Sequence, residues 1–374
     1  MFFIIGIFIA IFLSLLLLIK KNKSQADRIL VIWLIFISIN QVLRYFGVSE
    51  YIYEYPHLLG VELALPILHG VLLYFYVVEI TGSPIRNNGI VLLHLTPTII
   101  VTLLTIPFYQ LTGEEKIFVY QNEGKGFEWY VIIQSSVIAI SGIAYSIWSL
   151  IIIKRHQKKI KDRFSNTDKK ELEWLKYLSI GNGSIFLISV FFSNDVIYTA
   201  VVILVLFIGF FGINQLNVFY SPINPEEIED DILFKNKKEN KEVITPSKTS
   251  TGKYEKSGLN EEMASNIYSN LNRLVNENAI YKNEELTLVE LSRQLKVHPN
   301  HLSQVINEME GKNFYNYVNS LRINEFIKLA SLPENKKYTM ISLAYDCGFS
   351  TKSTFNKHFK LVTGKTPTEF FKAL

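Results

Sequence analysis

Long apolar runs occupy most of the chain up to about residue 215 and predict a bundle of membrane-spanning helices. An α-helix needs about 20 mostly apolar residues to cross the hydrocarbon core of a bilayer. The runs of about this length are Phe2–Ile19, Ile29–Phe46, Val61–Ile80, Ile90–Phe108, Trp129–Ile153, Tyr177–Phe192 and Val196–Gln215. The pattern therefore predicts about seven spans, in a transmembrane helical domain that covers residues 1–219. The sixth run is the weakest of them, because it contains Asn182 between two glycines.

The first apolar run has the length of a secretory signal peptide but not its other features. It has no basic segment before it and no small-residue cleavage site after it, and it continues directly into Lys20-Lys-Asn-Lys23. We therefore expect residues 2–19 to be an uncleaved first span.

The charges of the loops alternate along this region and predict its orientation. Lysines and arginines are concentrated in residues 20–28, after the first run, and in residues 154–163, after the fifth. The loops after the second and fourth runs are acidic instead, with Glu50 in one and Glu114 in the other. Cytoplasmic loops of membrane proteins carry the excess of Lys and Arg. We therefore expect a multi-pass protein of a bacterial cytoplasmic (inner) membrane, with its N-terminus outside and its C-terminal region in the cytoplasm.

Polar side chains within the apolar runs are candidates for a sensor. Glu62, His69 and His94 are ionisable, and ionisable groups at membrane depth are functional candidates by default. Glu62 and His69 are seven residues apart in the sequence, a spacing that places two residues on one helix face. The alternative is structural: Arg44 and Glu62 reach the outer interface, while His69 and His94 form hydrogen bonds between helices.

Residues 220–258 have the composition of a flexible cytoplasmic linker. They contain prolines, a run of acidic residues, a run of basic residues and then Ser and Thr, a mixture that cannot bury a core. A flexible coil of this length has a root-mean-square span on the order of 35 Å. We expect it to act as a tether for the C-terminal region.

Residues 259–374 carry one helix-turn-helix pattern twice, at about 287–307 and 339–362. Apolar positions recur at the same spacing in both copies, with one residue inserted in the second turn, and each copy ends at a glycine. The matched pairs are Thr287 with Thr339, Leu291 with Leu343, Val297 with Phe349, Leu302 with Phe355, Ile306 with Phe359 and Gly311 with Gly364.

Capping residues support both copies. Thr287 followed by Glu290 predicts a capping box, and Thr339 is the corresponding cap of the second copy. Gly348 can take the left-handed conformation that ends a helix, and Ser350 is then expected to cap the next one.

The second helix of each copy carries polar side chains opposite its apolar stripe. These helices are expected to begin near Pro299 and Lys352. Their outward residue types form hydrogen bonds with base edges and phosphates in a major groove. The candidate DNA-binding residues are Asn300, Ser303 and Gln304 in the first copy, Lys352, Ser353, Asn356 and Lys357 in the second, and Lys365, which follows the second closing glycine.

A continuous helix is predicted between the two copies, over Phe314–Leu332. At 1.5 Å per residue it is about 28 Å long, close to the ~34 Å that separates successive major-groove faces on one side of B-DNA. Such a spacer lets one chain contact two neighbouring grooves. The alternative is a helical bundle that binds a protein.

The motifs of this region resemble the AraC/XylS-type DNA-binding domain from about Leu259 to the end of the chain. The resemblance is carried by Leu302-Ser-Gln-Val-Ile-Asn307, by the first half of the linking helix, and by Gly348-Phe-Ser-Thr-Lys-Ser-Thr-Phe-Asn-Lys-His-Phe-Lys360 followed by Thr363-Gly-Lys-Thr-Pro367. It implies that the polar residues given above contact bases. Two positions depart from the pattern: Ser292 stands where the family usually has alanine, and the first recognition helix has no Lys or Arg. The first copy is therefore expected to bind DNA more weakly than the second.

Composition adds little to this picture and points to no enzyme. The chain is 49% hydrophobic with a net charge of +4, and it contains no Walker loop, dinucleotide fingerprint or kinase motif set. His298, His301 and His358 lack metal-ligand spacing and are expected to face solvent or DNA. The single cysteine, Cys347, occupies an apolar helix position and is expected in the core. We expect neither a metal nor a cofactor.

Taken together, these patterns predict an all-α, membrane-bound one-component transcription regulator. Its expected partners are double-stranded promoter DNA, the lipid bilayer, a second copy of the chain and an unknown ligand; RNA polymerase is a further candidate. The rival interpretation is a transporter or receptor whose C-terminal helical module recruits a protein partner.

Overall fold

The structure is a computed structural model that describes residues 2–168, 170–215 and 259–372. Within these ranges the chain is helical and holds no named strand, only an isolated antiparallel bridge between Phe164 and Thr287. The all-α prediction is confirmed. The predicted linker, residues 220–258, lies outside the described residues.

The described residues form two compact units. The first contains residues 2–156 and 172–215, and the second contains residues 157–168, 170–171 and 259–372. The segment around residues 157–171 thus groups with the C-terminal helices, although it precedes them by about a hundred residues. The predicted boundaries at 219 and 258 stay a prediction.

The first unit is built from helices, most of which are apolar. They are α1 (Phe2–Ile19), α2 (Gln25–Val48), α3 (Leu65–Ile80), α4 (Asn88–Leu104), α5 (Ile106–Tyr109), α6 (Gly113–Gln121), α7 (Glu128–Arg163), α8 (Glu173–Phe191) and α9 (Asn194–Gln215), with short 3-10 turns at Tyr51–Glu54, Pro56–Leu58 and Val61–Leu63. The C-terminal end of α7 belongs to the second unit.

Four of these helices, α2, α7, α8 and α9, are long and apolar enough to cross a membrane. The bent pair Pro56–Leu63 and Leu65–Ile80 makes a fifth if it is one span, and the apolar parts of α1 and α4 are shorter. Every predicted apolar run falls on one of these helices or on the bent pair. The count of about seven spans stays a prediction.

Apolar side chains lie on both the inside and the outside of this unit. Trp33 and Leu73 are fully buried in its main core, whereas Phe8, Ile132 and Ile140 are 69%, 67% and 70% exposed. A water-soluble protein rarely exposes large apolar surfaces of this kind. The first unit is therefore consistent with a membrane domain.

A bend separates two residues that were predicted to share one helix face. Glu62 lies in a 3-10 turn and His69 lies in α3, and the two segments meet at an angle of 41°. Pro66 stands in the first turn of α3, where its ring and missing N–H prevent the helix from continuing backwards. The prediction of one common helix is therefore wrong.

The second unit contains the C-terminal helices. They are α10 (Glu261–Asn278), α11 (Leu288–Gln294), α12 (Pro299–Glu310), α13 (Phe314–Ala330), α14 (Met340–Asp346), α15 (Lys352–Thr363) and α16 (Pro367–Lys372), with 3-10 turns at Ile280–Lys282 and Pro333–Lys337. The long helix α13 is the predicted spacer. Its first half packs with α10–α12 through Phe314, and its second half packs with α14–α16 through Phe326.

Most of the capping residues predicted from the sequence are the ones found in the structure. Thr287 accepts a hydrogen bond from the Glu290 N–H, although the Glu290 carboxylate accepts one from Asn283. In the second copy Thr339 caps α14 as predicted, since its hydroxyl accepts a hydrogen bond from the Ser342 N–H. The next helix, α15, is capped by Thr351 and not by Ser350 as predicted, since the Thr351 hydroxyl accepts the hydrogen bond from the Thr354 N–H. This one-residue shift leaves both hydroxyls at the start of α15.

Gly348 makes the sharp turn that precedes α15. Its φ is +94°, and a Cβ there would lie 2.7 Å from the carbonyl oxygen of Lys282. The left-handed conformation and the close approach both require glycine. In the first copy the equivalent turn is made by Lys296, whose φ is +54°.

Candidate nucleic-acid interface and membrane cavity

Helix α15 presents a polar face opposite a fully buried one. Phe355 and Phe359 are 1% and 0% exposed, because they anchor the helix in the core that it shares with α13 and α14. The predicted contact residues Lys352, Ser353, Asn356 and Lys357 are all exposed, and so is Lys365 beyond the end of the helix.

Helix α12 presents a less accessible face. Leu302 is fully buried, and Asn300 is exposed. Ser303 and Gln304 are half-buried and have partners within the helix: the Ser303 hydroxyl accepts a hydrogen bond from Asn307 at 3.5 Å, and the Gln304 amide donates to Glu308 at 3.0 Å. These two side chains are therefore less accessible than the polar residues of α15.

The imidazole of His358 is buried, so the prediction that it faces solvent or DNA is wrong. The residue is 1% exposed, and its ring packs edge-on against Tyr315 with 4.8 Å between centroids. Neither ring nitrogen has a hydrogen-bond partner among the described residues. Burial lowers the pKa of His358 to about 4, and the nearby positive charges of Lys357 and Arg322 act in the same direction. His358 is therefore a neutral core residue.

Arg322, on α13, organises the centre of the second unit; it lies within the motif of the linking helix, but it was not among the predicted site residues. The side chain is 1% exposed. Its Nε donates to the Tyr281 carbonyl at 2.7 Å, and its Nη2 donates to the Asn283 carbonyl at 2.7 Å. Burial lowers the pKa of Arg322 to about 10, so the guanidinium stays charged at neutral pH. A signal was present in the sequence, because position 322 lies four residues from both Val318 and Phe326, on the apolar face of the helix.

A cavity of about 990 Å³ lies among the helices of the first unit. Polar side chains from several helices line it, which is uncommon for the interior of an apolar bundle. They include Asn40, Gln41, Arg44, Glu62, His69, Tyr120, Gln134, Asn182 and Tyr198.

Two of the three predicted sensor residues line this cavity. Glu62 accepts a hydrogen bond from the Tyr120 hydroxyl at 2.6 Å, and His69 lies 3.4 Å from the amide nitrogen of Asn40. The second carboxylate oxygen of Glu62 and the Nδ1 atom of His69 are buried without a hydrogen-bond partner in the described part of the chain. The cavity therefore retains polar atoms that a ligand or water could bind.

The third candidate, His94, lies elsewhere in the first unit. Its Nδ1 atom is 2.9 Å from the Tyr145 hydroxyl, and its ring contacts those of Tyr74 and Trp148. His94 does not line the cavity that holds Glu62 and His69. It forms a hydrogen bond between α4 and α7, as the structural alternative proposed. Within the described ranges, no cluster of His, Cys, Asp or Glu is suited to hold a metal ion.

Comparison with known proteins identifies the C-terminal region. A family model described as a helix-turn-helix domain matches residues 291–373, which include α12, α13, α14 and α15. Searches of curated proteins and of solved structures give no match. The match and the helices agree with the resemblance found in the sequence, and residues 291–373 form an AraC-type helix-turn-helix domain.

Proposed function

We propose that the chain is a membrane-bound one-component transcription regulator that binds promoter DNA through two helix-turn-helix units. The units are α11 with α12 and α14 with α15, and the helices that enter the major groove are α12 and α15. The observation that carries the proposal is the exposed face of α15, where Asn356 stands between Lys352 and Lys357 opposite a buried aromatic face. Asn is a base-reading residue type, and Lys neutralises phosphates.

The spacing of the two helix-turn-helix units supports the binding of two neighbouring DNA grooves by a single chain. Helix α13 has 17 residues and is therefore about 26 Å long. Because α13 packs on both helix-turn-helix units, it fixes the distance between them. We propose that this distance matches one turn of B-DNA, about 34 Å. The second helix-turn-helix unit carries more positive charge on its recognition helix than the first helix-turn-helix unit. We propose that it supplies most of the phosphate binding.

The first unit is proposed to be the sensor. Its apolar outer surface fits a lipid bilayer, and the basic loops support a topology with the N-terminus outside the cell and the DNA-binding domain in the cytoplasm. The polar cavity that contains Glu62 and His69 is the proposed ligand site. His94, which does not line this cavity, remains a separate candidate sensor residue. We also propose that the chain pairs with a second copy of itself.

The experiment is a selection of binding sites by the full chain. Purified protein in lipid nanodiscs would be incubated with a library of random duplex DNA, and bound duplexes would be sequenced over several rounds. We expect a recurring motif. On the selected duplex, Asn356→Ala should lose about 1–3 kcal/mol of binding free energy and much less on random DNA.

The matched control is Asn276→Ala, which removes an exposed asparagine from α10 in the same compact unit. This variant should change neither the affinity for the selected duplex nor the affinity for random DNA. A library that gives no enrichment with wild-type protein would contradict the proposed function. It would favour the rival, in which the C-terminal helices recruit a protein.

A further inference from the structure

The segment between α7 and α8 packs onto the helices of the DNA-binding domain. We refer to the described residues of this segment, 164–168, 170 and 171, as the α7–α8 loop. Phe164 forms an antiparallel bridge with Thr287, and the Ser165 N–H donates to the Leu286 carbonyl at 3.1 Å. The contact therefore lies at the residues that begin α11, in the first helix-turn-helix unit.

Side chains of the loop extend this contact. The Asn166 amide donates to Glu285 at 2.8 Å, and the Lys170 ammonium lies 3.1 Å from the other oxygen of the same carboxylate. Asn166 is 8% exposed. A segment that only connected two membrane helices would be expected to expose such polar residues to water.

The loop also completes the hydrogen bonds of the buried Arg322 guanidinium. The Ser165 hydroxyl accepts a hydrogen bond from Arg322 Nη2 at 3.1 Å, and the Ser165 carbonyl accepts one from Asn319 at 3.0 Å. Ser165 is fully buried. Because a buried cation is costly when its N–H groups lack acceptors, Ser165 is part of the interior of this unit when the loop is docked.

Asp168 connects the loop to the second helix-turn-helix unit. Its carboxylate accepts hydrogen bonds from the hydroxyls of Ser350, Thr351 and Thr354, each at 2.9 Å. All three lie at the start of α15, the second recognition helix. The N-terminus of a helix carries partial positive charge and binds anions. The loop therefore places a negative charge at the anion-binding end of this helix.

We propose that the α7–α8 loop is an autoinhibitory segment, in which Asp168 takes the position of a DNA phosphate at the start of α15. The proposal rests on the proposed function, since it assumes that α15 enters DNA. Phosphates are the usual partners of hydroxyls and helix N-termini in protein–DNA complexes. A carboxylate and a phosphate cannot occupy the same hydroxyl cluster, so the loop must leave before α15 binds fully.

The loop also gives the sensor a direct route to the DNA-binding domain. It is the covalent connection between α7 and α8, so a change in how these two helices pack changes the geometry of the loop. Residues 220–258 then need only keep the domain attached. On this view a ligand of the first unit acts by withdrawing Asp168 and Ser165 from their sites.

The first test compares charge removal at two positions of the full chain in nanodiscs. Asp168→Ala should tighten binding to a duplex selected by the wild-type protein by about tenfold, the effect of losing charge-assisted hydrogen bonds that hold the loop. The matched control, Asp162→Ala, removes a carboxylate two residues before the loop, where no hydrogen bond to α15 is present among the described residues. It should change affinity less than twofold. Equal or weaker binding by Asp168→Ala would overturn the proposal.

The second test locks the loop in place. Lys170→Cys with Glu285→Cys puts two thiols on the exposed ion pair between the loop and the domain, and a short bis-maleimide would join them; the native Cys347 is fully buried. The linked protein should lose most of its DNA binding. The control is the double variant Asn270→Cys with Arg273→Cys, both exposed on α10, whose DNA binding the same reagent should leave unchanged.

These outcomes separate the two proposals. Absence of DNA binding by both the unlinked wild-type protein and the Asp168→Ala variant would contradict the proposed function itself. Normal DNA binding by the locked protein would leave that function standing and overturn the autoinhibitory role of the loop.

Discussion

Acidification should destabilise the second unit through one buried side chain, His358. The folded protein holds its imidazole neutral, with the pKa lowered by burial to about 4, whereas an unfolded histidine has a pKa of about 6.5. As the pH falls between these values, the unfolded chain binds a proton that the folded chain does not. The contribution to stability is therefore fully present above about pH 6.5 and is lost progressively down to about pH 4.

The size of the effect follows from the two pKa values. At about pH 5 the unfolded imidazole is about 97% protonated and the folded one about 9%, which costs about 2 kcal/mol relative to neutral pH. This free energy corresponds to about a 30-fold increase in the equilibrium for opening. The ring contact with Tyr315 places the effect at α13 and α15.

Hydrogen exchange measured by mass spectrometry on the full chain would read this change locally. Peptides from α13 and α15 should lose about 30-fold in protection between about pH 7 and about pH 5, after correction for the intrinsic exchange rate. His358→Leu, which has no titratable group, should show little of that loss. His301→Leu, which replaces a half-buried histidine of α12, is the control and should behave as wild type. The same pH-dependent loss in His358→Leu as in wild type would refute the reasoning.

Three further predictions concern topology, phosphate contacts and the linker. A cysteine at Glu114 should react with an impermeant thiol reagent from outside the cell, and one at Lys159 should not; the reverse pattern would place the DNA-binding domain outside. Lys365→Ala should weaken binding to selected and random duplexes alike and reduce the slope of log affinity against log salt by about one; a loss restricted to the selected duplex would instead make Lys365 a base-reading residue. Gly/Ser insertions within residues 220–258 should change promoter occupancy only gradually, and an abrupt loss after a few residues would show that this segment is a stiff relay.

The sequence was sufficient for the elements whose signals are local. Apolar runs located the helices of the first unit, and the spacing of Leu302, Phe355 and Phe359 separated the buried from the exposed faces of α12 and α15. The polar character of histidine led to the wrong prediction that His358 faces solvent or DNA. Its position, one residue before Phe359 and three after Phe355, indicated the core, but its chemistry suggested the surface.

Contacts between distant parts of the chain were beyond such reasoning. Asp168 and Ser350 are 182 residues apart, and no periodicity or cap connects them. The break before α3 has a local signal at Pro66, but the angle of 41° between the two segments is not specified by that residue alone. Polar residues of several helices line the cavity, and the pattern of a single helix does not specify which of them face one another.

Occupancy of chromosomal DNA by the full chain in living cells tests the central claim most directly. Cross-linking, immunoprecipitation and sequencing of a tagged wild-type protein should give discrete sites that share the motif selected in nanodiscs. The same protein carrying Asn356→Ala with Lys357→Ala should lose these sites while remaining in the membrane fraction at wild-type abundance. Retention of the same sites by this double variant would show that α15 does not read DNA and would contradict the account.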